Sequence, residues 1–189
     1  MRRRDTARVN SSYKGGRRTG APAKAHSVLK LFTQFHVLIS LLGILAGFVV
    51  IFGMLGNERL DTWNLVFLVM TVATSATGYL FPFKKLLPSH IVGVISLLVL
   101  GLAIYARYPA HLTGSFVWIY VVCAVFAQYL NFFVLIVQGF QKVPALNKLA
   151  PTQTETPFKI SQGVALLVFV ALGVGAVLEF HPWVNPPIQ

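Results

Sequence analysis

The stretch LFTQFHVLISLLGILAGFVVIFGMLGN, residues 31–57, sets the structural class of this chain. It holds no charged residue, although Lys30 precedes it and Glu58 follows it. At a rise of about 1.5 Å per residue, a helix needs about 20 apolar residues to cross the hydrocarbon core of a bilayer. The stretch exceeds that length, so we predict that it forms a membrane-spanning helix.

Four more uncharged stretches follow the first one. They cover residues 62–83, 86–106, 108–141 and 160–178. Each approaches or exceeds the spanning length, and Pro or Gly marks the breaks between them. We therefore predict an all-α polytopic bundle of five transmembrane helices. The predicted spans are about 31–56, 62–82, 88–107, 115–140 and 158–179, in a membrane domain covering residues 30–181 between tails at 1–29 and 182–189.

The composition agrees with lipid as the main solvent. Hydrophobic residues make up 56% of the 189 residues, charged residues make up 11%, and the mean hydropathy is +0.70. A soluble domain usually carries about 25% charged residues. A chain this poor in charge cannot cover a water-facing surface.

The positive charge is concentrated at the amino end. The net charge is +11, and residues 1–30 hold nine of the 16 lysines and arginines against Asp5 alone. Residues 1–29 contain almost no large apolar side chain, so we expect a disordered basic tail. A basic run beside an apolar segment is typical of a topogenic signal or of contact with anionic lipid. No recognition fold or aromatic pattern indicates nucleic-acid binding.

The basic residues also predict the orientation. If the tail is cytoplasmic, the inner segments hold fourteen of the 16 basic residues, and only Arg59 and Arg107 lie outside. The positive-inside rule favours this arrangement, with the amino end inside and the carboxy end, 182–189, in the periplasm. All three tryptophans then lie at the outer interface, where their rings are favoured. These are Trp63, Trp118 and Trp183.

The sequence lacks the motifs that mark several functional classes. The nucleotide-binding, zinc-protease and serine-hydrolase motifs are absent, so we do not expect an enzyme. The single cysteine, Cys123, allows no disulfide within the chain and is expected to be a small packed side chain. Within the predicted spans the only acidic residue is Glu179, at the very end of the fifth, which argues against proton pumping and cation transport.

Two histidines are the candidate site residues. His36 follows Lys30 by six residues and His90 follows Lys85 by five, so both imidazoles are predicted at a similar depth on helices that enter from the cytoplasm. Glycines follow on the same faces, Gly43 and Gly47 after His36 and Gly93 and Gly101 after His90. The simpler interpretation is helix packing through glycine and hydrogen bonding by the histidines.

The alternative is a cofactor pocket in the cytoplasmic half of the bundle. Imidazole is a good axial ligand of haem iron, and a flat macrocycle needs small residues beside it. His36 and His90 would then ligate one b-type haem, with Gly43 and Gly93 against the ring. A quinone or lipid pocket at the same place is a further alternative. Apart from haem iron at the two histidines, we predict no metal site.

Four short motifs carry a family resemblance over about residues 30–180. They are TGYLFPF at 77–83, LPSH at 87–90, KVPAL at 142–146 and APTQ at 150–153. The chain resembles an uncharacterised family of small bacterial membrane proteins in these motifs. The resemblance implies a bacterial inner membrane and carries no chemistry.

Three functions remain in competition at this point. The first is a non-catalytic accessory or structural subunit of a larger membrane complex, surrounded by lipid and other membrane subunits. The second is a b-haem or quinone-associated electron-transfer protein that uses His36 and His90. The third and weakest is a small-molecule transporter.

Overall fold

The computed structural model describes residues 21–81 and 88–182, and side chains within 27–81 and 91–182. This part of the chain is all-helical and contains no strand. Residues 1–20 of the predicted tail and 183–189 of the predicted carboxy-terminal tail lie outside the described residues. The helices are α1 Ala21–Leu55, α2 Asp61–Gly78, α3 Pro88–Arg107, α4 Phe116–Lys142, α5 Pro144–Leu149 and α6 Thr156–Glu179.

Contacts divide the chain into two units, Met1–Thr33 and Gln34–Gln189. In the first unit the described residues are helical from Ala21 onward, and the Thr33 hydroxyl donates to the Leu29 carbonyl at 2.8 Å. Helix α1 thus begins within the predicted tail 1–29, whose disorder stays a prediction. Alanine and lysine favour helix, and Pro22 is tolerated in a first turn. The contacts between helices described below lie in the second unit.

Three helices are long and apolar enough to cross a membrane in the described part of the chain. They are Ser27–Leu55 in α1, Phe116–Lys142 and Thr156–Glu179, while the described apolar part of α3, Ile91–Arg107, is shorter. The fold is therefore all-α with three candidate membrane-spanning helices. In the most apolar part of α6 only 17% of the residues are buried, compared with 50% in α1 and 44% in α4.

The end of α1 is closed by a left-handed cap at Asn57. The Asn57 amide donates to the Met54 carbonyl at 3.1 Å, and the Glu58 amide donates to the Gly53 carbonyl at 2.7 Å. Asn57 has φ 56°, so this is a Schellman motif with asparagine in the left-handed position. The break at Gly56-Asn57 was expected, and the structure assigns the positive φ to Asn57.

Helix α4 is the centre of the bundle. It packs against α3, α5 and α6, and its buried residues point in several directions. Tyr120, Val121 and Ala124 are in the apolar core, together with residues of α1, α2, α3 and α6. Cys123 is buried and free, as expected for a small packed side chain.

The loop between α4 and α6 contains a short helix that the sequence interpretation missed. Helix α5 begins with Pro144, which suits the first helical position. The Asn147 side-chain amide donates to the Phe140 carbonyl at 3.0 Å, and the Phe140 and Phe158 rings meet edge to face at 5.4 Å. These contacts fold the loop against the adjoining ends of α4 and α6.

Candidate functional site

His36 is joined to α2 through Thr77. The His36 Nδ1 atom lies 2.8 Å from the Thr77 hydroxyl oxygen, and that hydroxyl donates to the Ala73 carbonyl at 2.6 Å. A hydroxyl has one proton to give. With that proton on the Ala73 carbonyl, His36 Nδ1 is the donor to Thr77 and Nε2 of the neutral ring carries no proton. The Phe81 ring and the imidazole meet edge to face, with 5.1 Å between their centroids.

The second candidate histidine cannot be placed beside the first. His90 lies in the first turn of α3, but its side chain falls outside the described residues. The distance between the two imidazoles therefore stays a prediction.

Two candidate glycines lie in tight contacts with other side chains. A Cβ at Gly43 would lie 3.3 Å from Met70 Cβ and 3.4 Å from the Thr71 hydroxyl oxygen. A Cβ at Gly93 would lie 2.8 Å from the Tyr79 hydroxyl oxygen. Both glycines therefore let neighbouring segments approach closely, as the packing interpretation predicted.

Gly101 does not share the environment of Gly93. No atom lies within 4 Å of a Cβ built at Gly101, and the residue is exposed. The two glycines were predicted to share one face of α3, and their surroundings differ. Eight residues turn an α-helix by about 800°, which leaves the second position roughly 80° away from the first.

Gly47 makes room for a buried glutamine. The Gln128 side-chain amide donates to the Ile44 carbonyl at 2.7 Å and is fully buried. A Cβ at Gly47 would overlap the Gln128 carboxamide and lie 2.9 Å from the Phe67 ring. Glycine at position 47 therefore allows α4 to place a polar side chain against the backbone of α1.

A second polar contact joins α2 and α4. The Asn131 amide donates to the Thr71 hydroxyl at 3.1 Å, and Thr71 is fully buried. This bond joins polar side chains of α2 and α4. Gln128 Oε1 and Thr74 Oγ1 are buried without a hydrogen-bond partner.

A cluster of polar residues where α2, α3 and α4 meet was missed by the sequence interpretation. Arg107 Nη2 lies 2.5 Å from Asp61 Oδ1 and also donates to the Arg59 carbonyl at 3.1 Å. The guanidinium lies over the Tyr120 ring, 5.1 Å from its centroid, and the Tyr120 hydroxyl donates to Asn64. The sign of this cluster in the sequence was Arg107, a single arginine between two uncharged stretches.

The burial of this cluster is uneven. Arg107 is 3% exposed, whereas the side chain of Asp61 is 69% exposed. Asp61 begins α2 and Arg107 ends α3, so each charge is favoured by the dipole of its own helix. Arg107 Nη1 and Asn64 Nδ2 are buried without partners. This cluster therefore holds α2, α3 and α4 together.

An apolar groove runs between α4 and α6. Its volume is about 330 Å³, and Val125 and Phe169 lie among its lining residues. Its outer wall includes Phe126, Val170 and Leu178, all of them exposed. The groove offers a partner only apolar contact.

The described residues contain no group of three or more His, Cys, Asp or Glu side chains arranged to hold a metal ion. No family model, curated protein or solved structure matches this chain. The resemblance to the family of small bacterial membrane proteins therefore stays a prediction. Proposals about function therefore rest on the chemistry and the exposure of the residues that the structure describes.

Proposed function

We propose that the protein crosses a bacterial inner membrane five times, with its amino end in the cytoplasm and its carboxy end in the periplasm. Helices α2 and α3 have 18 and 20 residues, which correspond to about 27 and 30 Å. That length approaches the thickness of the hydrocarbon core, about 30 Å. The distribution of basic residues supports the orientation.

Fusions to a two-sided topology reporter test this arrangement. A reporter after Gln189 is expected to report the periplasm, and a reporter within residues 142–158 the cytoplasm. A cytoplasmic signal from the carboxy end would mean an even number of spans and would overturn the five-helix proposal.

Within that membrane, we propose that the protein is a non-catalytic accessory subunit of a larger complex. The observation that carries this proposal is the exposed apolar surface of α6. Helix α6 packs mainly on α4 and also contacts α1, where the Phe169 and Phe48 ring centroids are 5.9 Å apart, and its remaining surface is apolar and exposed. This surface comprises Val164, Leu167, Val168, Val174 and Leu178.

The polar residues support the same proposal. His36, Gln128 and Asn131 each bond to another helix of this chain. Their chemistry is thus used to hold the bundle together. What remains available to a partner is apolar area, which suits packing between membrane helices.

Photocrosslinking distinguishes a protein partner from lipid. A photoreactive amino acid would replace Leu167 on α6, with Leu98 on α3 as the matched control, because the two side chains are 70% and 71% exposed. We expect crosslinks to a protein from position 167 and only to lipid from position 98. Lipid-only crosslinks from both positions would exclude α6 as the subunit contact.

One observation favours haem as the alternative. With the Thr77 proton on the Ala73 carbonyl, His36 donates from Nδ1. Its Nε2 atom is then unprotonated in the neutral ring and suited to ligate iron. Metal-bound histidines commonly donate their other nitrogen in this way. A Soret band in the purified protein that is lost in both His36→Ala and His90→Ala would support this alternative. A colourless protein that retains its partner would exclude it.

For the basic segment 1–30 we propose contact with anionic lipid. Nine basic residues against one acidic residue attract a negative surface, and salt screens this attraction because the Debye length is about 3 Å at 1 M. A peptide of these residues should bind anionic liposomes at low salt and be released at high salt. Binding that persists unchanged would contradict an electrostatic contact.

A further inference from the structure

The loop between α4 and α6 presents three exposed lysines close to the adjoining ends of those helices. Lys142 ends α4, Lys148 lies on α5 and Lys159 lies in the first turn of α6. All three are exposed. The contact between Phe140 and Phe158 holds the two helix ends together.

No acidic side chain neutralises these lysines in the described part of the chain. The ion pairs found there are those of Asp61 with Arg59 and Arg107. Glu155 is four residues before Lys159, a spacing at which glutamate and lysine commonly pair on a helix. The structure does not form that pair.

The Glu155 carboxylate is turned into its own loop instead. It accepts hydrogen bonds from the Thr152 amide at 3.1 Å, the Thr152 hydroxyl at 2.8 Å and the Thr154 amide at 3.0 Å. Lys159 is thus left without its local partner. It also lies at a helix amino end, where a positive charge is unfavourable for the helix itself. An external anion near Lys159 would offset both effects.

Exposed apolar side chains accompany these charges. Val143 precedes α5 and Leu149 is its last residue, and they are 45% and 57% exposed. Lysine beside exposed apolar residues is typical of segments that lie in the interface between headgroups and acyl chains. A soluble anion would interact with the lysines and leave Val143 and Leu149 in water.

We propose that residues 142–159 form a binding surface for anionic phospholipid, in which Lys142, Lys148 and Lys159 contact the phosphate headgroups and Val143 and Leu149 enter the interface. This surface is distinct in sequence from the basic segment 1–30. The inference rests on the proposed spanning of the membrane by α4 and α6, and it is independent of the accessory role.

Photoreactive lipids test the proposal at the level of the segment. The full-length protein would be placed in phosphatidylcholine vesicles containing a small amount of phosphatidylglycerol, with a headgroup photoprobe on one lipid or the other. Labelled peptides would be located by mass spectrometry. We expect the phosphatidylglycerol probe to label residues 142–159 more strongly than the phosphatidylcholine probe.

Variants separate this surface from the tail. The triple change Lys142→Gln, Lys148→Gln and Lys159→Gln is expected to weaken phosphatidylglycerol labelling of 142–159 by roughly fivefold per lysine, with labelling of 1–30 unchanged. The matched control changes Lys14, Lys24 and Lys30 to glutamine and should leave the loop labelling intact. Arginine at the three loop positions should retain the labelling, which shows that a loss comes from charge.

Three results would overturn the proposal. Equal labelling of the loop by both probes would remove the lipid preference while leaving the spanning arrangement in place. No labelling of the loop by either probe would overturn the inference together with that arrangement. Displacement by inorganic phosphate, beyond the effect of chloride at equal ionic strength, would identify a site for free phosphate in place of a lipid surface.

Discussion

Arg107 Nη2 and Asp61 Oδ1 lie 2.5 Å apart, and this pair joins the end of α3 to the beginning of α2. The two partners differ in environment: the guanidinium is buried, whereas the carboxylate is exposed. Removing the carboxylate leaves a buried cation without its counter-ion, whereas removing the arginine leaves an acid that water can solvate. The two substitutions should therefore have unequal effects on stability.

The first prediction is that Asp61→Ala lowers the free energy of unfolding in detergent by about 2 kcal/mol, the scale of a hydrogen bond to a charged group. Arg107→Met should lower it less, since methionine can still pack on Tyr120. Combining the two changes should be no worse than Arg107→Met alone, because no uncompensated cation remains. An Asp61→Ala variant with an unchanged free energy of unfolding would contradict the role assigned to this pair.

The second prediction concerns the close approach of α1 and α4. Gly47→Ala should destabilise the bundle by about 1 kcal/mol, because the new methyl group displaces the Gln128 carboxamide from the Ile44 carbonyl. Gly101→Ala is the matched control and should be neutral or stabilising, since alanine favours helix and position 101 has open space. The unfolding midpoints of the two variants measure the difference.

A double substitution tests the cause. In a Gln128→Ala background there is no carboxamide for the methyl group to displace, so Gly47→Ala should lose most of its effect. An undiminished effect in that background would assign the strain to Phe67 and not to Gln128.

The third prediction concerns the tautomer of His36. Nitrogen NMR of the neutral imidazole should show the proton on Nδ1, because the Thr77 hydroxyl donates its own proton to Ala73. Thr77→Val should shift the tautomer population and lower the free energy of unfolding by about 1 kcal/mol. Thr33→Val is the control, because the Thr33 hydroxyl bonds only to the backbone of its own helix. A proton found on Nε2 in the unaltered protein would contradict the assignment.

The fourth prediction is a dependence on pH. Desolvation acts to raise the pKa of Glu155, but hydrogen bonds from Thr152 and Thr154 outweigh it and lower the pKa below its usual value. A group whose pKa is lowered by folding stabilises the fold above its unfolded pKa and loses that effect as the pH falls through the folded pKa. Hydrogen-exchange protection of the Thr152 and Thr154 amides should therefore persist down to acid pH below the usual range of glutamate.

The Glu155→Gln variant provides the control for this experiment. It cannot titrate, so its protection, corrected for intrinsic exchange, should be weaker at neutral pH and constant through the acid range. A loss of protection in the unaltered protein at or above the usual glutamate pKa would exclude the proposed stabilisation of the carboxylate.

Local sequence was sufficient for the helical class and for most helix ends. Helix α3 was predicted at 88–107 and is Pro88–Arg107, and α4 was predicted at 115–140 and is Phe116–Lys142. Apolar length, proline and capping residues act within a few positions along the chain, so a single sequence can reveal them. The beginning of α1 and the short helix α5 were missed, because they depend on helix propensity and loop contacts outside the apolar runs.

The partners of the polar residues could be found only in the folded chain. His36 and Thr77 are 41 residues apart in the sequence, and Gln128 and Ile44 are 84 apart. Each residue turns a helix by about 100°, so contact depends on how the helices are rotated against one another, which packing settles. The sequence predicted where these side chains lie along their helices, and the assembled bundle determined which helix each one faces.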